Sequence, residues 1–173
     1  MSGSLSRMNT MTPELQNHCV VEAMRGVTVL VRTHDKIEIV AKLFQDQAIN
    51  AAPVVNADRV CVGIITDHDL VKYEASRIEL ENQLEHGRNF DLARYGNDSP
   101  SRRETTSFDA VERQMTSDFQ VISSQDSLAE AARKMCRKHV QHLLILDVAQ
   151  HPVGILSSLD ILGFLVDQQS ERK

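Results

Sequence analysis

The sequence predicts an α+β fold made of two copies of one small unit, each running strand, helix, strand, strand, helix. Three observations lead there: an ungapped internal repeat, an apolar helical stripe that recurs in both copies, and a pair of β-prone runs behind each stripe.

The repeat has a period of 91 residues. That offset carries Met24 onto Met115, Asp35 onto Asp126, Ala41 onto Ala132, and Asp69 onto Asp160. The run Val62, Gly63, Ile64 falls on Val153, Gly154, Ile155. Conservative matches keep the register: Leu30 with Val121, Ile37 with Leu128, Phe44 with Met135, Ile49 with Val140, Thr66 with Ser157.

Each copy opens with a β-prone stretch, Val27 to Val31 and Phe119 to Ile122, and reaches a polar turn closed by Asp35 or Asp126. A helix follows. Ile37, Val40, Ala41 and Phe44 sit at i, i+3, i+4 and i+7, and Leu128, Ala131, Ala132 and Met135 repeat that spacing. Each stripe needs a sheet to cover. Pro53 to Val55 and Val60 to Ile65 supply two strands around the turn Asn56 to Arg59, and Leu143 to Leu146 with Val153 to Leu156 do so around Asp147 to Gln150. A second helix starts near Thr66 and Ser157. Two such small sheets gain most by burying against each other, so the expected arrangement packs the copies about a pseudo-twofold axis, with Asp69 and Asp160 opening onto the cleft between them.

Ahead of the first copy, residues 1–19 read as a frayed tail and a short helix from Pro13, with Thr12 as its cap. The first copy spans 20–75, an insertion spans 76–110, the second copy spans 111–167, and 168–173 is a tail. In the insertion, Leu70, Tyr73, Leu80 and Leu84 continue one helical face until Gly87 supplies a stop, and Asn97 to Ser101 form a loop.

Composition narrows the function. No apolar run reaches the about eighteen residues of a membrane span, so no membrane role is expected. Cys19, Cys61 and Cys136 stand apart without a CxxC pair, which argues against disulfides or structural zinc and fits a reducing cytoplasm. A net charge of −5, no Trp and two Tyr disfavour nucleic acid as a partner. His139 and His142 meet no companion at metal spacing, and neither a P-loop nor a recognisable triad is present.

In both copies a strand ends as glycine, two apolar residues, a hydroxyl residue, two variable residues and an aspartate: Gly63 through Thr66 to Asp69, and Gly154 through Ser157 to Asp160. Together with the preceding Met, the polar turn with Asp, and the run Ala51, Ala52, Pro53, Val54, Val55, this resembles the CBS (cystathionine beta-synthase) domain, over residues 20–75 and 111–167. The resemblance implies a regulatory module that is not an enzyme, needs no cofactor, and binds an adenine compound such as AMP, ATP or S-adenosylmethionine. It implies that Thr66 and Ser157 touch a phosphate and that Asp69 and Asp160 hold the ribose hydroxyls. It also implies that adenine lies against Leu30, Ala52 and Pro53 in the first copy and against Val121 and Leu143 in the second.

Elementary chemistry agrees with the phosphate and ribose roles, because a helix N-terminus favours an anion and a carboxylate accepts two hydrogen bonds from a diol. The same residues also satisfy the capping pattern of Ser or Thr followed three positions later by an acid. Both roles stand open at this level.

Two departures from the family pattern separate the copies. Before Pro53 the chain has Asn50 and Ala51, where the family often carries a base; the second copy has Gln141 and His142 there, with Leu144 in place of the proline. Asp67 beside Thr66 repels a phosphate, whereas its counterpart Ser158 does not, which makes the second copy the better phosphate site. Phe44, Val71, Met135 and Leu162 are expected on faces that a homodimer covers, with a regulated enzyme or transporter as a further partner. The rival reading is a dimerisation or partner-interaction module with degenerate sites.

Overall fold

A computed structural model describes residues 13–91 and 109–170 of the chain. Its helices are α1 (Pro13–Asn17), α2 (Ile37–Gln47), α3 (Asp67–Asp91), α4 (Val111–Gln114), α5 (Leu128–Lys138) and α6 (Ser158–Ser170). Its strands are β1 (Arg25–Gly26), β2 (Val31–Arg32), β3 (Ala51–Val55), β4 (Cys61–Thr66), β5 (His142–Leu146) and β6 (Pro152–Ser157). Mixed α/β structure in two repeats is what the 91-residue register predicts. The capping role of Thr12 and the loop Asn97 to Ser101 lie outside the described residues.

The described residues fall into two compact units that do not coincide with the two sequence repeats. One unit takes the residues up to Val29, Arg59–Cys61, and those from Asp118 onward; the other takes Leu30–Asp58 and the described part of Val62–Ser117. The reason is visible in the sheets. In the first unit the strand order is β1-β6-β5, with Arg25 opposite Ile155 and Gly26 opposite Gly154 in antiparallel register. The opening segment of the first repeat therefore completes the sheet of the second. In the other unit the order is β2-β3-β4, and the opening segment of the second repeat closes the β4 edge: Ile64 and Thr116 exchange backbone hydrogen bonds of 3.0 and 2.9 Å.

The predicted opening strands are shorter than their β-prone runs. β2 pairs in parallel with β3 at Val31 and Val54, while the expected strand Phe119 to Ile122 reduces to a single parallel bridge from Val121 to Leu144. Residues 27–30 carry no ladder, because the chain passes there from one unit's sheet to the other's.

The stripe of α2 buries Ile37, Val40 and Phe44, and that of α5 buries Leu128, Ala131 and Met135. Each large side chain contributes about 2 kcal/mol by leaving water. Ala41, expected on the stripe, is exposed, and Ala132 is half-buried; a methyl at i+4 lies at the rim of a face that the larger residues define. Leu143, Ile145 and Leu156 from the β5–β6 hairpin, with Val20 and Leu15 from the N-terminal segment, fill the rest of that core.

Backbone detail repeats at the same period. Both helices end on a left-handed residue that is not glycine, Ala48 (φ 50°) and His139 (φ 54°), and the following amides of Ile49 and Val140 reach back 3.1 Å to Phe44 and Met135. Both hairpins turn through a second left-handed residue, Arg59 and Gln150, each at φ 64°.

α3 corrects the expected stop at Gly87. It runs to Asp91, and its covered face ends early, since Tyr73 is 3% exposed and Leu80 is 40% exposed. A glycine without a left-handed turn or a following proline lowers helix stability but does not end the helix. The Tyr73 hydroxyl stands 2.6 Å from Asp109 Oδ1 and 3.1 Å from Glu38 Oε1, tying α2 and α3 to the returning chain. Burial, then the two carboxylates, push its phenol well above the usual range.

Each exchanged segment is seated through a methionine on a glycine. A Cβ placed on Gly63 would lie 2.6 Å from Met115 Sδ and 3.1 Å from the Thr116 carbonyl oxygen, and one on Gly154 would lie 2.8 Å from Met24 Sδ. Gly63→Ala should therefore destabilise the protein by about 1–3 kcal/mol in urea titrations, and Gly154→Ala by less, since only a flexible thioether obstructs it. In a Met115→Ala background the cost of Gly63→Ala should shrink by about 1 kcal/mol or more, and an unchanged cost would show that the contact does not carry it.

Candidate functional site

Thr66 and Ser157 are the last residues of β4 and β6, and the helices α3 and α6 start on the next residue. Two strands thus deliver a hydroxyl to a helix N-terminus. In the first box, Asp69 Oδ2 accepts from the Thr66 amide at 2.9 Å and from the Thr66 hydroxyl at 2.6 Å, while the Asp69 amide reaches back to Thr66 Oγ1 at 3.4 Å. In the second, Asp160 Oδ2 accepts from the Ser157 amide at 2.7 Å and its hydroxyl at 2.6 Å, and the Asp160 amide donates to Ser157 Oγ at 3.1 Å. Both are reciprocal capping boxes, so the capping reading holds in each copy.

Capping does not use the whole carboxylate. It occupies Oδ2 in each box and leaves Oδ1 to a residue from the exchanged segment. In the first box Thr116 Oγ1 lies 3.4 Å from Asp69 Oδ1, a weak contact. In the second, Arg25 Nε lies 2.8 Å from Asp160 Oδ1. Arg25 and Thr116 occupy the same register position, 91 residues apart. Neither was singled out from the sequence, although the repeat alignment contains the pair; what it lacks is the sheet that each segment joins.

Burial differs between the boxes. Outside the apolar core and Tyr73, the buried side chains among the described residues are Asp69, 6% exposed, and Ser157, 5% exposed. The first helix amides also differ. Asp67 N donates to the Asn50 carbonyl and Ser158 N to the Gln141 carbonyl, both at 3.0 Å. The next amide, of His68, is taken by Asp67 Oδ1 at 2.8 Å, whereas Ser158 has no carboxylate to offer the amide of Leu159.

The remaining expected site residues fall around these boxes. His142 is half-buried and lies directly opposite Ser157 in the β5–β6 ladder. Leu143 is opposite Leu156 and fully buried in the core, as Ala52 is on β3, so their side chains pack within the sheet layer. Pro53 is buried, and Leu30 and Val121, half-buried, precede β2 and bridge to β5 respectively. Among the described residues, no three His, Cys, Asp or Glu side chains form a metal-ligand group.

The profile of the CBS domain matches residues 20–76 and 109–167. The uncharacterised protein MJ1426 of Methanocaldococcus jannaschii is 23% identical over 158 residues, which is 85% of this chain and 90% of that protein. Among solved structures, the CBS domain pair of protein MJ0100, in complex with 5′-methylthioadenosine and S-adenosyl-L-methionine, has a TM-score of 0.64 at 20% identity. That match covers 87% of this chain and 98% of the other. CBSX2 in complex with AMP has a TM-score of 0.65 at 17% identity, covering 88% and 99%.

The cap contribution of a box can be separated from its packing. Thr66→Ala should lower the unfolding free energy by about 1 kcal/mol, while Thr66→Ser, which keeps the hydroxyl, should stay within about 0.5 kcal/mol of the parent. Urea midpoints decide it, and equal losses in the two variants would assign the effect to the methyl group.

Proposed function

This chain belongs to the CBS domain family, as a tandem pair, and on that premise we propose that it is a regulatory, ligand-sensing module that binds an adenine nucleotide or adenosyl compound. The observation that carries the reading is the duplicated box: a carboxylate held by identical capping bonds at the start of α3 and of α6, with Oδ1 left facing a variable partner. A carboxylate held in this way has its rotamer set in advance, so a ribose diol that binds it finds the acceptor already oriented. Thr66 with Asp69 and Ser157 with Asp160 form the polar halves of the sites. Leu30 and Pro53, and Val121 and His142, supply the adenine and phosphate side, with Ala52 and Leu143 contributing through their backbone, since their side chains are fully buried. The adenosyl ligands named for MJ0100 and CBSX2 support this class of ligand. Binding alone is the proposed activity, and no catalytic step is assigned.

A dimeric assembly is part of the proposal, with the occupancy read by the dimer mate or by a separate enzyme or transporter. Among the described residues no helix is long and apolar enough to cross a membrane. Of the four residues expected on a dimer face, Phe44 and Met135 are buried within their own units and are withdrawn from it, while Val71 (67% exposed) and Leu162 (56% exposed) remain. They belong to longer exposed stripes, Val71 with Ile78 on α3 and Leu159, Leu162 and Val166 on α6. The same stripes favour the second reading, an interaction module whose boxes serve as caps alone.

Titration separates the two readings. AMP, ATP, 5′-methylthioadenosine and S-adenosylmethionine should each be screened by thermal shift, where a ligand at 100 times its dissociation constant stabilises the folded state by about 2.7 kcal/mol. In calorimetry with AMP, Asp160→Ala should lose about 30-fold or more in affinity, and Asp69→Ala should leave a measurable site. Equal losses would overturn that ranking. No shift with any of the four ligands would favour the interaction module.

The dimer is tested apart from the ligand. Light scattering at high micromolar concentration should give twice the chain mass, and Val71→Glu combined with Leu162→Glu should return it to the monomer. A monomeric parent would remove the dimer from the proposal.

A further inference from the structure

The two boxes share the reciprocal bonds between the hydroxyl residue and the aspartate, and differ in what the exchanged segment brings to the second carboxylate oxygen. We infer that Arg25 makes the second-repeat site selective for phosphorylated adenosine ligands, while Thr116 at the same position leaves the first-repeat site to adenosyl ligands without negative charge. The inference rests on the adenosyl reading above and adds the charge class of ligand that each site takes.

Arg25 is placed by β1, whose antiparallel pairing sets it opposite Ile155, two residues before Ser157. Thr116 stands opposite Ile64, two residues before Thr66. The geometry is therefore the same, and the chemistry is not. Arg25 spends Nε on Asp160, and the two terminal nitrogens of its fork have no protein partner among the described residues. Its side chain is 58% exposed, so that fork faces solvent beside a helix N-terminus. A planar guanidinium with both terminal nitrogens open matches a phosphate in bidentate fashion.

The local charges point the same way. In the second box Arg25 offsets the Asp160 carboxylate, and Ser158 adds no charge. In the first box Asp67 and Asp69 are both carboxylates, and Thr116 brings no charge to offset them. A phosphate brought to the first box meets two carboxylates, and one of them already caps the His68 amide that an anion would use. A diol brought to the second box shares Asp160 Oδ1 with the guanidinium, which weakens the acceptor for an uncharged nucleoside but leaves a cation for a nucleotide. At the first box Asp69 Oδ1 has only the weak Thr116 contact to give up, and the surplus negative charge favours a neutral or cationic adenosyl group.

Calorimetry on the full chain with AMP and with adenosine tests the assignment through the ratio of their affinities. Arg25→Thr, which copies the first box, should lower AMP affinity roughly 10- to 100-fold and change adenosine affinity by less than about threefold. Arg25→Lys, a point charge without the fork, should fall between the parent and Arg25→Thr. Thr116→Arg, at an exposed position, should add a second AMP site or tighten the weaker one about tenfold. If Arg25→Thr proves poorly folded, Arg25→Lys and Thr116→Arg decide the matter between them. An unchanged AMP-to-adenosine ratio in these variants, or equal loss of both ligands, overturns the role of Arg25 while the adenosyl reading stands. A parent protein that binds neither AMP nor adenosine nor S-adenosylmethionine overturns both.

Discussion

Each sheet in this protein ends at a glycine-bearing edge strand that a distant piece of chain must close. Gly63 and Gly154 have no side chain to hold that piece off, and Met115 and Met24 lie where a Cβ would be. A three-stranded sheet with one bare edge would leave backbone amides and carbonyls unpaired and its hairpin half-covered. Closing the edge with Thr116 in one unit and with Arg25 and Gly26 in the other satisfies those groups. The exchange then determines which residues belong to which unit, and why the compact units cut across the repeats.

The same exchange finishes the candidate sites. A capping box alone is a local device, built within four residues and able to stabilise any helix. Beyond the cap, a second carboxylate oxygen meets the exchanged strand in each box. Because both segments dock in one register, the same position, Arg25 or Thr116, meets the second carboxylate oxygen of each box, and Asp67 against Ser158 adds a further charge difference. Duplication with divergence at that position gives two boxes one frame and different partners on the second carboxylate oxygen.

Much of the fold was legible because its signals are local or periodic. The 91-residue register predicted both hairpins, both stripes and both boxes, and even the four left-handed residues fall into two pairs at that offset. Errors arose where burial depends on neighbours that the chain order does not reveal. Ala41 follows the helical period yet is exposed, Phe44 and Met135 face their own cores and not a partner, and α3 passes through Gly87 to Asp91.

By itself the sequence determined the repeat, read from its 91-residue register, and the order of elements, the hairpin turns and the residues of the two boxes, which follow from local propensity and spacing. Only the tertiary structure decided where the segments around Met24 and Met115 dock. The two open edges, at Val62, Gly63, Ile64 and at Val153, Gly154, Ile155, are the same in sequence, so no local preference distinguishes the strand's own repeat from the other one. Chain geometry and packing make that choice. It brings Arg25 to Asp160 from far along the chain, and with it a charge difference between the two boxes.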